Sequence, residues 1–170
     1  MRIAVTGHRD LDHSTTLLVD DAIRTLLSQS SGNFIGLSCL AAGADQVFAR
    51  AVLDLGGRLE VIIPAVGYAA TLGARAKRGF EDLKSRASHI WGPNHLWPSP
   101  RSYLDAGLRM LDRADWLIAV WDGHPANGLG GTADIVSRAR ERSMTVHRLW
   151  PEGARRLGSN CGNAASDEAR

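Results

Sequence analysis

Apolar and polar positions alternate along this chain in blocks, and the blocks predict strands and helices in turn. Arg2-Ile-Ala-Val-Thr6 is a short apolar run that stops at Gly7-His8-Arg9, a first strand and its exit turn. Residues 14–29 carry Leu17, Leu18, Ala22, Ile23, Leu26 and Leu27 at helical spacing, with Asp12 or Ser14 as the N-cap. Phe34-Ile-Gly-Leu-Ser38 is a second strand. Residues 45–55 form a second helix, with Val47, Phe48, Ala51, Val52 and Leu55 on one side and Gly56-Gly57 as its stop. Leu59-Glu-Val-Ile-Ile63 is a third strand, closed by Pro64.

The same rhythm continues to the end. A helix is predicted over 73–86, a weaker strand over 88–91, and a Pro-rich loop over 92–100. A helix over 102–112 shows Tyr103, Leu104, Gly107, Leu108 and Leu111 at helical spacing. Then come a strand over 116–121, a helix from about Gly131 and a last strand over 145–150. Most of the strands are continuous apolar runs, the pattern of a parallel sheet covered on both faces. The expected fold class is α/β: a Rossmann-like three-layer sandwich with a mostly parallel sheet of about six strands and helices on both faces. Residues 1–153 are expected to form the single domain, and the polar stretch 154–170 a disordered tail.

Composition narrows the class. The chain has 170 residues, enough for one domain with a full core, and 44% hydrophobic and 22% charged residues, as in soluble globular proteins. The net charge of +2 is small, and Lys occurs only at Lys77 and Lys84, so a nucleic-acid partner is not expected. The two cysteines, Cys39 and Cys161, form neither a disulfide framework nor a metal knuckle. No His, Cys or carboxylate cluster has metal spacing, and no metal or cofactor is expected. No signal peptide follows Met1, and no apolar run approaches membrane length. These point to a cytoplasmic protein without a membrane partner.

Chemistry is expected where strands end, because ligands of parallel sheets lie beyond the carboxyl ends of the strands. Thr6-Gly-His-Arg9 offers a hydroxyl, a glycine and a cation, and Arg9 can hold a phosphate bidentately. A lone His such as His8 is more often packed than catalytic. Ser38 leads into Ala41-Ala-Gly43-Ala44-Asp45, small residues at a helix start, where Asp45 either caps the helix or meets a ligand. Pro64 ends the third strand. Trp121-Asp122 ends the run 116–121 and opens a Gly-rich loop that reaches Gly128-Leu-Gly130-Gly131-Thr132. That loop and the helix start behind it are the best phosphate candidates, through backbone N–H groups and the Thr132 hydroxyl. It has neither the Walker A spacing nor GxGxxG. Asp134, in the first helical turn, either favours the helix dipole, holds a ribose hydroxyl or serves as the acid of a glycosidic cleavage. Of five tryptophans, any at a strand end can stack on a base, although packing is the commoner role.

These motifs together resemble the SLOG superfamily, Rossmann-like proteins that include DNA-processing proteins and the LOG phosphoribohydrolases. Ser38-Cys-Leu-Ala-Ala-Gly-Ala-Asp45, the helix behind it, Gly56-Gly57 and Val61-Ile-Ile-Pro64 are similar to the DNA-processing pattern. Thr6-Gly-His-Arg9 resembles the turn after its first strand. Gly130-Gly-Thr-Ala-Asp134 resembles the Pro-Gly-Gly-x-Gly-Thr-x-x-Glu motif of the phosphoribohydrolases. Here Asn127-Gly-Leu-Gly130 replaces the leading Pro-Gly-Gly, and the acidic pair becomes Asp134-Ile135. The resemblance implies a nucleotide or nucleotide-derived ligand and a homodimer, for which the apolar residues of helix 102–112 offer a surface. It also implies two alternatives: an N-glycosidase that releases a base from a nucleoside monophosphate, with Asp134 as the catalytic acid, and single-stranded DNA binding.

Overall fold

The computed structural model describes residues 1–30, 33–125 and 128–157. Six strands form one sheet: β1 (Arg2–Gly7), β2 (Ile35–Ser38), β3 (Arg58–Ile62), β4 (His89–Trp91), β5 (Trp116–Val120) and β6 (Thr145–Leu149). Five helices connect them: α1 (His13–Ser28), α2 (Ala44–Asp54), α3 (Ala74–Ser85), α4 (Pro100–Leu111) and α5 (Thr132–Glu141). A short 3-10 turn, Tyr68–Thr71, precedes α3. Every strand pair is parallel, and the spatial order is β4-β3-β2-β1-β5-β6. The chain builds outward from β1 to β4, then returns to the other side of β1 with β5. The direction of winding therefore reverses between β1 and β5, where such sheets open a crevice for ligands.

Successive side chains of β1 point to opposite faces and seed two cores. Ile3 and Val5 pack with Ile118 and Val120 of β5 against α1 and α2, through Val19, Ile23, Leu27, Phe48 and Val52. Ala4, with Leu117 and Ala119, packs against α4 and α5 through Leu104, Met110, Leu111, Ile135 and Val136. A third cluster joins Leu59 and Val61 of β3 to Tyr68, Phe80 and Leu83. This is the three-layer sandwich that continuous apolar strands predict.

Three sequence expectations change. In α1 the buried stripe is Thr15, Val19, Ile23 and Leu27, whereas Leu17 and Leu18 are exposed. Thr15 earns its buried place by bonding to distant backbone: its hydroxyl donates to the Arg155 carbonyl at 3.1 Å and accepts from the Arg155 N–H at 2.8 Å. The predicted N-cap Asp12 takes the Thr15 N–H at 2.6 Å. The helix expected from 102 begins instead at Pro100, because Ser99 and Ser102 cap each other's backbone and proline fits the first helical position. Residues 154–157, expected to be tail, run back along the loop after β1: Leu157 N–H donates to the Asp10 carbonyl at 3.0 Å, and Arg156 bridges to Leu11. The remainder of that stretch, with Cys161, lies outside the described residues.

On α4, Leu104 and Leu111 are buried in the core of their own chain, whereas Tyr103 and Leu108 are half-buried. Among the described residues, no helix is long and apolar enough to cross a membrane.

Candidate functional site

The turn after β1 is fastened on both sides. His8 N–H donates to the Val120 carbonyl, and the His8 carbonyl accepts from Ala44 N–H, each at 3.1 Å. Gly7 is required by this packing: a Cβ there would stand 2.5 Å from Ala44 Cβ and 2.8 Å from Val120 Cβ. Gly43 has φ +74°, and its Cβ would lie 2.5 Å from both the His8 and Arg9 carbonyl oxygens. The two glycines let α2 press its first turn beneath residues 8 and 9. Both glycines serve this backbone packing, and Gly7 also lines the cleft described below.

The loop after β5 is braced in a similar way. Asp122 accepts the His124 N–H at 3.0 Å and lies 3.5 Å from the Arg156 guanidinium. These partners and His8 outweigh the upward push of burial and hold its carboxyl below the usual range. Trp121 Nε1 donates to the His124 carbonyl at 2.7 Å. Gly130, at φ +75°, sits against α4, where a Cβ would meet Leu104 N at 2.8 Å. Gly130 N–H donates to Asp134 Oδ2 at 3.0 Å, and Arg138 lies 3.6 Å from Asp134 Oδ1. Asp134 therefore fixes its own loop.

Between these two loops lies a cleft of about 440 Å³. Of the residues expected at a site, it brings together Thr6, Gly7, His8, Arg9, Asp45, Pro64, Trp121, Gly128, Gly130, Gly131 and Thr132. Ser38, Gly43, Ala44, Asp122 and Asp134 do not line it and act from behind.

Arg9 is exposed, stacks 5.0 Å above the Tyr103 ring and pairs with no carboxylate among the described residues. Across the cleft, α5 begins at Gly131, which supplies no side-chain cap. The first-turn amides stay available and carry the positive end of the helix dipole.

His8 is 9% exposed, and its ring meets Trp150 edge-on at 5.3 Å. Its Nε2 lies 3.2 Å from Asp122 N and 3.1 Å from Asp122 Oδ1, two contacts that ask for opposite proton positions. The backbone N–H can only donate, and burial lowers the His8 pKa. His8 is thus a packed strut whose Nε2 is held against Asp122.

Asp45 forms the cleft floor. Its Oδ2 accepts from Ser38 Oγ at 3.0 Å, Cys39 N–H at 3.2 Å and Ala41 N–H at 3.4 Å. Burial raises the carboxyl to about 6 against these donors and Arg9. Burial likewise pushes up the Cys39 thiol, which is therefore protonated and a poor nucleophile.

Sequence reasoning missed Asp10, Tyr68, Tyr103 and Arg156, which also line the cleft. Tyr103 carries the helix-spaced signature of an ordinary core residue, and Tyr68 lies between Pro64 and the helix predicted from 73, where the sequence predicts no element. Arg156 lies in the stretch without pattern. The order of the sheet is the signal that would have directed attention to the first turn of α4.

No protein-family model and no curated protein matches this chain. Solved structures do. DNA processing protein A from Streptococcus pneumoniae superposes with a TM-score of 0.63 at 19% identity, over 86% of this chain. This chain spans about half of that protein, 49% of its length. DNA processing protein A from Helicobacter pylori, described for its single-stranded DNA binding mode, gives 0.65 at 14% identity, covering 93% of this chain and 67% of that one. The Moco carrier protein from Chlamydomonas reinhardtii gives 0.55 at 15% identity, covering 87% and 75%. The parallel sheet, its strand order and these superpositions show that the chain has a Rossmann-like fold, similar to that of these DNA-processing and carrier proteins.

Proposed function

We propose that this chain binds a nucleotide or nucleotide-derived small molecule in the cleft, with its phosphate between Arg9 and the first turn of α5. The observation that carries this reading is the juxtaposition of a guanidinium in no ion pair among the described residues and a helix start with no side-chain cap, both lining one crevice. Both are donors to anions: Arg9 as a planar fork, the helix through its N–H groups and dipole. The cleft's volume lies within the usual range for small-ligand sites. The Tyr103 ring beneath Arg9 adds an aromatic surface at the same place. A small ligand, and not a nucleic-acid strand, is supported by the net charge of +2 and the scarcity of lysine.

A thermal melt against mono-, di- and cyclic nucleotides and ADP-ribose tests the proposal. A ligand at one hundred times its dissociation constant adds about 2.7 kcal/mol to stability. For a chain of this length, that is a rise of roughly 5–11 °C in the melting midpoint. No rise for any member of the panel at millimolar concentration contradicts it.

A further inference from the structure

Asp45 uses only one of its two carboxylate oxygens within the protein. Ser38, Cys39 and Ala41 all donate to Oδ2, and no donor among the described residues reaches Oδ1. Tyr68, 1% exposed, likewise has a hydroxyl without a hydrogen-bond partner among the described residues. Both side chains line the cleft, and no fully buried side-chain polar atom among the described residues is left unsatisfied. The two idle atoms therefore face the cleft itself. Both atoms are open to the cleft, where a ligand donor can take the place of water.

Their place in the fold sets them apart from the phosphate. Asp45 opens α2 beyond the end of β2, and Tyr68 follows β3, whereas α5 follows β5. In the sheet, β1 lies between β2 and β5, so the two ends of the cleft stand roughly 10 Å apart, two strand spacings. A nucleoside monophosphate is long enough to span them.

We infer that Asp45 and Tyr68 form a receiving pair for a hydrogen-bond donor of the ligand, an O–H or N–H on the part that extends from its phosphate past Arg9, away from α5. This rests on the reading that the cleft holds a phosphate-bearing ligand, and it adds what that part of the ligand must carry. An ionised Asp45 only accepts; the Tyr68 hydroxyl accepts or donates beside it. A sugar hydroxyl and a base N–H share this donor chemistry.

Charge supports the arrangement. Arg9 from the turn after β1, the Cys39 thiol after β2 and the Tyr68 hydroxyl before α3 surround the carboxylate, with Tyr103 of α4 beyond Tyr68. Arg9 is the one cation among them. Burial has brought the Asp45 carboxyl up to about 6, so at pH 7.5 it is an anion held in a poorly solvated place. A ligand donor restores the solvation that the cleft withholds.

The test measures dissociation constants by calorimetry for AMP, ribose 5-phosphate and inorganic phosphate. The proteins are the wild type, Asp45→Asn, Tyr68→Phe and Arg9→Ala. In Asp45→Asn the amide oxygen can keep the Ser38, Cys39 and Ala41 bonds, while the cleft-facing atom changes from acceptor to donor. Tyr68→Phe removes a single hydroxyl and is the safeguard should Asp45→Asn fail to fold. At pH 7.5 Asp45→Asn should weaken AMP at least tenfold and Tyr68→Phe threefold or more, with inorganic phosphate unchanged in both. Loss of ribose 5-phosphate in the same proportion assigns the donor to the sugar; loss confined to AMP assigns it to the base.

The gap between wild type and Asp45→Asn for AMP should narrow from pH 7.5 to pH 5, as Asp45 takes up a proton and stops being a pure acceptor. The ionisation of the phosphate itself is common to both proteins and cancels in the ratio. AMP affinity that is unchanged in Asp45→Asn and Tyr68→Phe but falls in Arg9→Ala overturns this inference and leaves the phosphate reading standing. So does a gap that does not vary with pH. Failure of every probe to bind the wild type overturns both.

Discussion

Gly43→Ala is expected to destabilise the chain by about 3–5 kcal/mol, among the larger effects of a single substitution. Gly43 has φ +74° and ψ −125°, a region essentially reserved for glycine. The added methyl group would also stand 2.5 Å from two backbone carbonyl oxygens, those of His8 and Arg9. The His8 carbonyl cannot swing aside, because the residue 8 backbone is bonded to both Val120 and Ala44. The alternative is for α2 to withdraw from the turn after β1, which opens the core around Phe48 and Val52. Gly56→Ala is the matched control. It shares a positive φ of +78° but has nothing within 4 Å of the added carbon, and should cost only about 1 kcal/mol. Urea unfolding of the two variants separates strain from collision. Equal costs would mean that the close packing of α2 on residues 8 and 9 does not exist in solution.

The second large effect falls on binding and leaves the fold alone. Arg9→Ala should weaken a phosphate-bearing ligand by about 1.5–3 kcal/mol, the range for a charge-assisted hydrogen bond. That is roughly a 10- to 150-fold rise in dissociation constant. The guanidinium is exposed and its described contact is the Tyr103 face at 5.0 Å, so stability should change by no more than about 1 kcal/mol. Arg9→Lys should fall between the two, since the charge remains but the planar fork is lost. Calorimetry with the tightest member of the nucleotide panel reads all three proteins. Equal affinities in wild type and Arg9→Ala remove Arg9 from the site.

The layers of the fold were legible because buried parallel strands leave continuous apolar runs, as at Trp116–Val120, and need no tertiary information to be seen. The face of α1 was not legible. Thr15 reads as polar and Leu17 as apolar, yet Thr15 is buried and Leu17 exposed. What reverses them is the bond pair to Arg155, 140 residues away, which no local pattern encodes. The cleft was legible in outline, since strand ends in a parallel sheet share one edge. Its parts were less so. At Gly7 the sequence did not disclose the close packing against Ala44 and Val120 that also requires glycine there. For Asp134 the sequence offered a dipole, ribose or acid role, and not the bond to Gly130 N–H that its carboxylate makes. Asp45 looked as much like a helix cap as a site residue; the choice depends on which of its oxygens Ser38, Cys39 and Ala41 occupy.

The central claim is that a nucleotide phosphate sits between Arg9 and the start of α5. The most direct measurement is a titration of the ¹⁵N-labelled chain with AMP, followed by backbone amide shifts. The account predicts that the largest changes gather on Arg9, Gly131, Thr132 and Ala133, where N–H groups meet the phosphate. Changes centred instead on the groove between α1 and β6, lined by Ala22, Leu26, His147 and Leu149, would contradict it, as would no change at millimolar AMP.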